Sequence, residues 1–194
     1  MRGLVTAYSP FLGRSLNQSQ AVLEEIRRGD AAPMGWQTQT WPVVLPTIRK
    51  LVNSVLSEPQ LRWWLALGEG QREGDARLEM RAHNHFDLRH DPPAAGNGPL
   101  EGSLDAAGPP SLAAHWPAER LGDDLKQAGF SIELSVDAGS HCCNALLFLG
   151  TLQAQQLPFR PWVGFLHLPR QNSDISRQAE MVREVIQWLN EQFL

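Results

Sequence analysis

Cysteine is nearly absent from this chain: Cys142 and Cys143 are its only two, and they are neighbours. Adjacent cysteines cannot build a disulfide framework, so a thiol that matters here is expected to be packed or reactive, in a reducing compartment. Positive charge is not in excess. The 17 lysines and arginines are outnumbered by 21 aspartates and glutamates, for a formal charge of -4, and so little electrostatic support exists for holding a phosphate backbone. No nucleic-acid partner is expected. No apolar run approaches the roughly 18 to 20 residues that cross a bilayer. The opening MRGLVTAYSP also lacks the apolar core and cleavage site of a secretory leader. A cytoplasmic protein with no membrane partner is the expectation. No internal repeat indicates a solenoid, and the glycine-rich stretch 68–74 lacks the Lys-Ser/Thr ending of a phosphate-cradling loop.

What is present points to a packed globular domain. Hydrophobic residues make up 42% and charged residues 20% of 194 residues, enough for one sizeable core and too short a chain for two ordinary domains. A single domain over 1–194 is expected. The run at 3–7 reads as a buried strand, and the periodic segment 18–28 as a helix capped by Asn17 or Ser19 and closed by Gly29-Asp30. A strand at 37–44, a helix at 46–57 and an apolar strand at 63–67 follow. Residues 77–84 alternate, with Leu78, Met80 and Ala82 on one side and Arg77, Glu79, Arg81 and His83 on the other. From 91 to 116 the chain is rich in Pro, Gly, Ala and Asn without a sustained period, and reads as a long mobile loop. Helices at 117–128, 140–152 and 174–193 alternate with strands at 130–135 and 162–167. Alternating strands and helices predict an α/β fold: a three-layer sandwich whose mixed, mostly parallel sheet is covered by helices on both faces.

Three residues stand out chemically. Cys143 falls in the first turn of a helix announced by Asp137-Ala138-Gly139-Ser140, where free N–H groups and the helix dipole favour a thiolate. His167 closes the apolar run Trp162-Val163-Gly164-Phe165-Leu166, and strand ends of this kind border ligand clefts in open α/β sheets. Glu79, on the polar side of its strand, is placed to orient an imidazole. His83, His85 and His90-Asp91 invite a metal reading, because residues two apart on a strand face the same way. Their spacing matches no closed zinc pattern. Neither metal nor cofactor is expected.

These segments together resemble the pyroglutamyl-peptidase I (pyrrolidone-carboxylate peptidase) family. Val5-Thr6-Ala7-Tyr8-Ser9-Pro10-Phe11-Leu12-Gly13 with Asn17-Gln18-Ser19 is similar to the family's opening strand, Pro-Phe-Gly loop and helix start. Leu78-Glu79-Met80-Arg81-Ala82-His83-Asn84 resembles the strand of the catalytic glutamate, with Arg89 at the family's arginine ten residues on. Asp137-Ala138-Gly139-Ser140-His141-Cys142-Cys143-Asn144 resembles the nucleophile motif, and Gly164-Phe165-Leu166-His167-Leu168-Pro169 that of the catalytic histidine. The resemblance implies a thiol peptidase acting on peptides with an N-terminal pyroglutamate, with Cys143 as nucleophile, His167 as base and Glu79 orienting it. It also implies Arg89 as an oxyanion stabiliser, Phe11, Tyr8 and Glu69 around the substrate, and assembly as a homodimer or homotetramer. Departures fall at Tyr8, Leu12, Glu69, Glu73 and Met80, where the family favours Phe, Gly, Gln, Arg and Arg. They leave a second reading open, a catalytically silent relative that acts as a binding protein.

Overall fold

The computed structural model describes residues 2–28, 35–70, 74–170 and 174–193. Its centre is a six-stranded sheet built from β1 (Gly3–Tyr8), β2 (Trp36–Trp41), β3 (Trp63–Glu69), β4 (Ala76–Glu79), β9 (Ile132–Ser135) and β10 (Trp162–Leu168), in the order β2-β1-β3-β10-β4-β9. The first four strands in that order run parallel, while β4 lies antiparallel to β10 and parallel to β9. The sheet is therefore mixed and mostly parallel, as expected. Two small ladders lie apart from it, β5 (Arg81–His83) with β8 (Ser111–Ala113) and β6 (Phe86–Asp87) with β7 (Glu101–Gly102).

The apolar runs of the central strands follow from burial on both faces. Every residue of β1 is buried, and in β3 only Glu69 is not fully so. On one face Leu4, Tyr8, Trp64, Ala66 and Phe165 join a core closed by α2 (Leu45–Leu56) and α5 (Cys142–Ala154). On the other, Val5, Ala7, Trp63, Leu65, Leu67, Leu78 and Leu166 pack with α1 (Gln18–Arg28), α4 (Ala118–Gln127) and α6 (Ile175–Glu191). α5 is buried almost all round, from Cys142 through Phe148 to Ala154, which explains why its sequence shows no polar stripe. Asp174 caps α6 by accepting from the N–H groups of Ser176 and Arg177.

Three expectations change. The strand expected over 77–84 breaks at Met80, whose N–H bonds Ser135 and whose carbonyl accepts from Ala114. The chain then leaves the sheet, so Leu78 sits in one core and Ala82 in the other, and the strict alternation fails. The strand expected at 37–44 stops at Trp41, because Val44 already occupies the N-cap of α2. The stretch 91–116 is not a structureless loop. It holds α3 (Pro92–Ala95), β7 and β8, and buries Ala94, Ala95, Leu104 and Trp116. Its partners are distant in sequence: Asn84 bonds the backbone of Asp105 and Gly108, and the Trp116 indole donates to the Glu79 carbonyl. The expected closure at Gly29-Asp30 lies outside the described residues.

Candidate active site

The thiol is set by the start of α5. Asp137 accepts from the Gly139 N–H at 2.8 Å, and Gly139 takes φ 80°, a left-handed turn that glycine allows without strain. His141 follows as the extended N-cap residue, so Cys142 and Cys143 open the helix among main-chain N–H groups that lack intrahelical partners. Asn144 clamps this start: its side-chain amide donates to the carbonyls of His83 and His85 at 2.8 Å each and accepts from the His83 N–H at 2.8 Å. Cys142 is fully buried core, whereas Cys143 is half-buried. Burial, followed by the negative charge of Glu79, pushes the Cys143 thiol up to about 12 against the smaller downward pull of its own backbone N–H and of Arg77. The resting group is thus a neutral thiol that needs a base.

The candidate base lies on the neighbouring strands. His167 on β10 and Glu79 on β4 point to the α5 face of the sheet. The His167 Nδ1 and Glu79 Oε1 are 2.6 Å apart, with Glu79 wholly buried. A carboxylate there accepts from Nδ1–H and leaves Nε2 as the basic nitrogen. Among the described residues no hydrogen bond joins the Cys143 thiol to the His167 ring. The ring packs instead on Phe165, with centroids 4.7 Å apart.

The remaining expected residues take various places. Tyr8 is buried and donates its hydroxyl to the Cys142 carbonyl at 3.1 Å, so it braces the peptide that carries the Cys143 N–H. Phe11 is partly buried, with its ring 5.9 Å from that of His141. Glu69 is not open to a ligand in this state. Arg14 grips it through two bonds of 2.6 and 3.1 Å, Arg170 stands 3.4 Å away, and it accepts from the Gln18 N–H at the start of α1. Arg89 does not reach the thiol. Asp87 and Glu101 hold its guanidinium at the surface, and among the described residues it makes no hydrogen bond or ion pair with Cys143, His167 or Glu79. Glu73 lies outside the described residues. Among the described residues no three His, Cys, Asp or Glu side chains gather as metal ligands; His83, for instance, sets its Nε2 3.3 Å from the Val136 carbonyl.

Sequence reading missed four neighbours. Arg77 faces Glu79 from two residues away on β4, its Nε 3.6 Å from Oε1, and the period of a strand was a sufficient signal for it. Trp116 packs onto β10 where Gly164 leaves room, since a Cβ there would lie 2.2 Å from the indole. His141 and Asp91 form a pair 3.2 Å apart beside Phe11. Burial lowers the His141 pKa, against the opposing charge and hydrogen bond of Asp91. Nothing local in the sequence marks Trp116, or Asp91 as a partner of His141, because their contacts are long-range.

A family model described as pyroglutamyl peptidase matches residues 1–184. This chain belongs to that family. A pyrrolidone-carboxylate peptidase of Photorhabdus laumondii is 27% identical, over 86% of this chain and 77% of its own length. One from Brevibacillus brevis is 26% identical, over 91% and 82%. The pyrrolidone carboxyl peptidase of Thermus thermophilus superposes with a TM-score of 0.78 at 25% identity, covering 95% of this chain and 98% of that one. A variant of the Pyrococcus furiosus enzyme gives a TM-score of 0.84 over both whole chains at 18% identity, which is a likeness of fold. Within the family pattern, Leu12 stands where glycine is usual and keeps the glycine conformation, φ 54°, at some cost in strain. Met80, in place of arginine, packs onto the apolar core.

Proposed function

We propose that this protein is a cysteine peptidase that hydrolyses the bond following an N-terminal pyroglutamyl residue. The buried His167–Glu79 pair carries this reading, because it supplies an oriented base on the face of the sheet against which α5 presents Cys143. His167 Nε2 takes the proton of Cys143 as sulfur attacks the pyroglutamyl carbonyl. The imidazolium then protonates the leaving amine, and water, activated by the same ring, releases pyroglutamate from the thioester. Glu79 holds the tautomer and faces the imidazolium. The N–H groups at the start of α5 are the nearest donors for the oxyanion, a contribution of about 3 kcal/mol per donor. Arg89 would join them only by leaving Asp87 and Glu101. Phe11 supplies an apolar wall for the flat, uncharged lactam. A free catalytic thiol suits the reducing cytoplasm, and we propose assembly as a homodimer or homotetramer on the family pattern, to be read from sedimentation velocity.

Hydrolysis of a pyroglutamyl coumarin amide tests the reaction. Wild type should turn it over, Cys143→Ser and His167→Ala should lose at least about a thousandfold in kcat, and Cys142→Ala should stay active. A folded, reduced wild type without turnover would reject the peptidase and bring the silent binding protein forward.

A further inference from the structure

Glu79 has no exposed surface, and burying a charged carboxylate is costly unless a cation stands beside it. Besides the His167 ring, the cation within 4 Å of Glu79 among the described residues is Arg77. In the β4–β10 ladder it stands directly opposite His167, and it shares the face of Glu79 two residues further along β4. Its Nε lies 3.6 Å from Oε1, the oxygen that also meets His167 Nδ1. The side chain is 19% exposed, and its Nε is buried with no hydrogen-bond partner, as is Glu79 Oε2. A Cβ on Gly70 would come within 3.5 Å of Arg77 Nη2, so the guanidinium lies close under the β3–β4 connection.

We infer that Arg77 is a positioning residue for the proposed reaction: its guanidinium is the countercharge set beside Glu79 beneath His167. Cys143 therefore faces a nearly neutral pair in place of a bare carboxylate. The inference rests on the peptidase reading for its kinetic consequence, though not for its effect on the thiol. Among the described residues, the charged or titratable groups near this end of α5 include Arg77 and Glu79 from β4, His167 from β10, Tyr8 from β1, His141 with its partner Asp91, and Cys142. Among them Glu79 raises the thiol and Arg77 lowers it. Loss of Arg77 removes the lowering effect and leaves Glu79 without its countercharge.

The test compares Arg77→Met, Arg77→Gln and Arg77→Lys in the full chain. Each is checked by urea unfolding, then assayed for kcat and KM on the coumarin amide and for the rate of Cys143 alkylation by iodoacetamide at neutral pH, read by peptide mass spectrometry. Arg77→Met and Arg77→Gln should slow alkylation and kcat about tenfold, the low end for an opposite charge at this separation. KM should change little, and Arg77→Lys should recover most of both rates. A folded Met or Gln variant with wild-type alkylation would overturn the inference, as would a Lys variant no better than Met. Gln reports on the charge if Met does not fold. Should the wild type prove inactive on the amide, the peptidase reading fails while the alkylation comparison still decides the role of Arg77.

Discussion

One hydroxyl distinguishes Tyr8 from the phenylalanine usual in the family, and the structure gives it a use. It donates to the carbonyl of Cys142, the other end of the peptide whose N–H is proposed to face the oxyanion. Tyr8→Phe should lower stability by about 1 kcal/mol, the usual worth of one buried hydrogen bond, and reduce kcat a few-fold with KM unchanged; urea midpoints and steady-state kinetics measure the two effects. The sequence placed Tyr8 at the right strand end but suggested a substrate wall, since a side chain's partner across the fold cannot be read from its own strand. Glu69 shows the same limit. A place beside the substrate was expected for it from the resemblance, whereas the grip of Arg14 and Arg170 depends on segments that lie far apart in sequence.

Among the elements, β10 is the one whose packing most directly aims the His167 ring. Gly164 admits the Trp116 indole, and that indole bonds the Glu79 carbonyl on β4. Two strands that must hold His167 against Glu79 are thus pinned by one side chain from the 91–116 stretch. Gly164→Ala puts a methyl where the ring lies and should cost about 1–3 kcal/mol through overpacking. A thermal melt measures the loss, and an unshifted melting temperature would show that Trp116 moves aside freely. Helices and most central strands were legible within about two residues from periodicity and apolar runs, whereas the ends of β2 and β4 were not. The small ladders β5–β8 and β6–β7 were not, because strands of two or three residues carry no period and exist only through their partners.

On the scale of the molecule, the site concentrates groups that burial holds protonated. Cys143 is pushed up to about 12 from an ordinary 9.0, chiefly by burial, and Tyr8 and Cys142 are raised for the same first reason. For groups whose folded pKa exceeds the unfolded one, the folded state holds protons that the unfolded chain releases first. The stabilisation is complete below pH 9 and is lost as the pH climbs toward 12. Unfolding free energies from urea titrations should therefore fall as the pH rises above about 9, by no more than about 1.4 kcal/mol per pH unit for each group, and Cys143→Ala should flatten part of the slope.

The sequence by itself determined the α/β class, the order of elements and the family, because these are written in local period and in three separated motifs, and it singled out Cys143, His167 and Glu79 as candidates. Only the tertiary structure decided their company. It put Arg77 beside a carboxylate with no exposed surface, tied Arg89 to Asp87 and Glu101, gave Tyr8 to the Cys142 carbonyl, and made an ordered strap of 91–116. Those outcomes depend on which charges and hydrogen-bonding groups meet across the sheet. Such meetings are set by packing between segments remote in sequence, where no local pattern reaches.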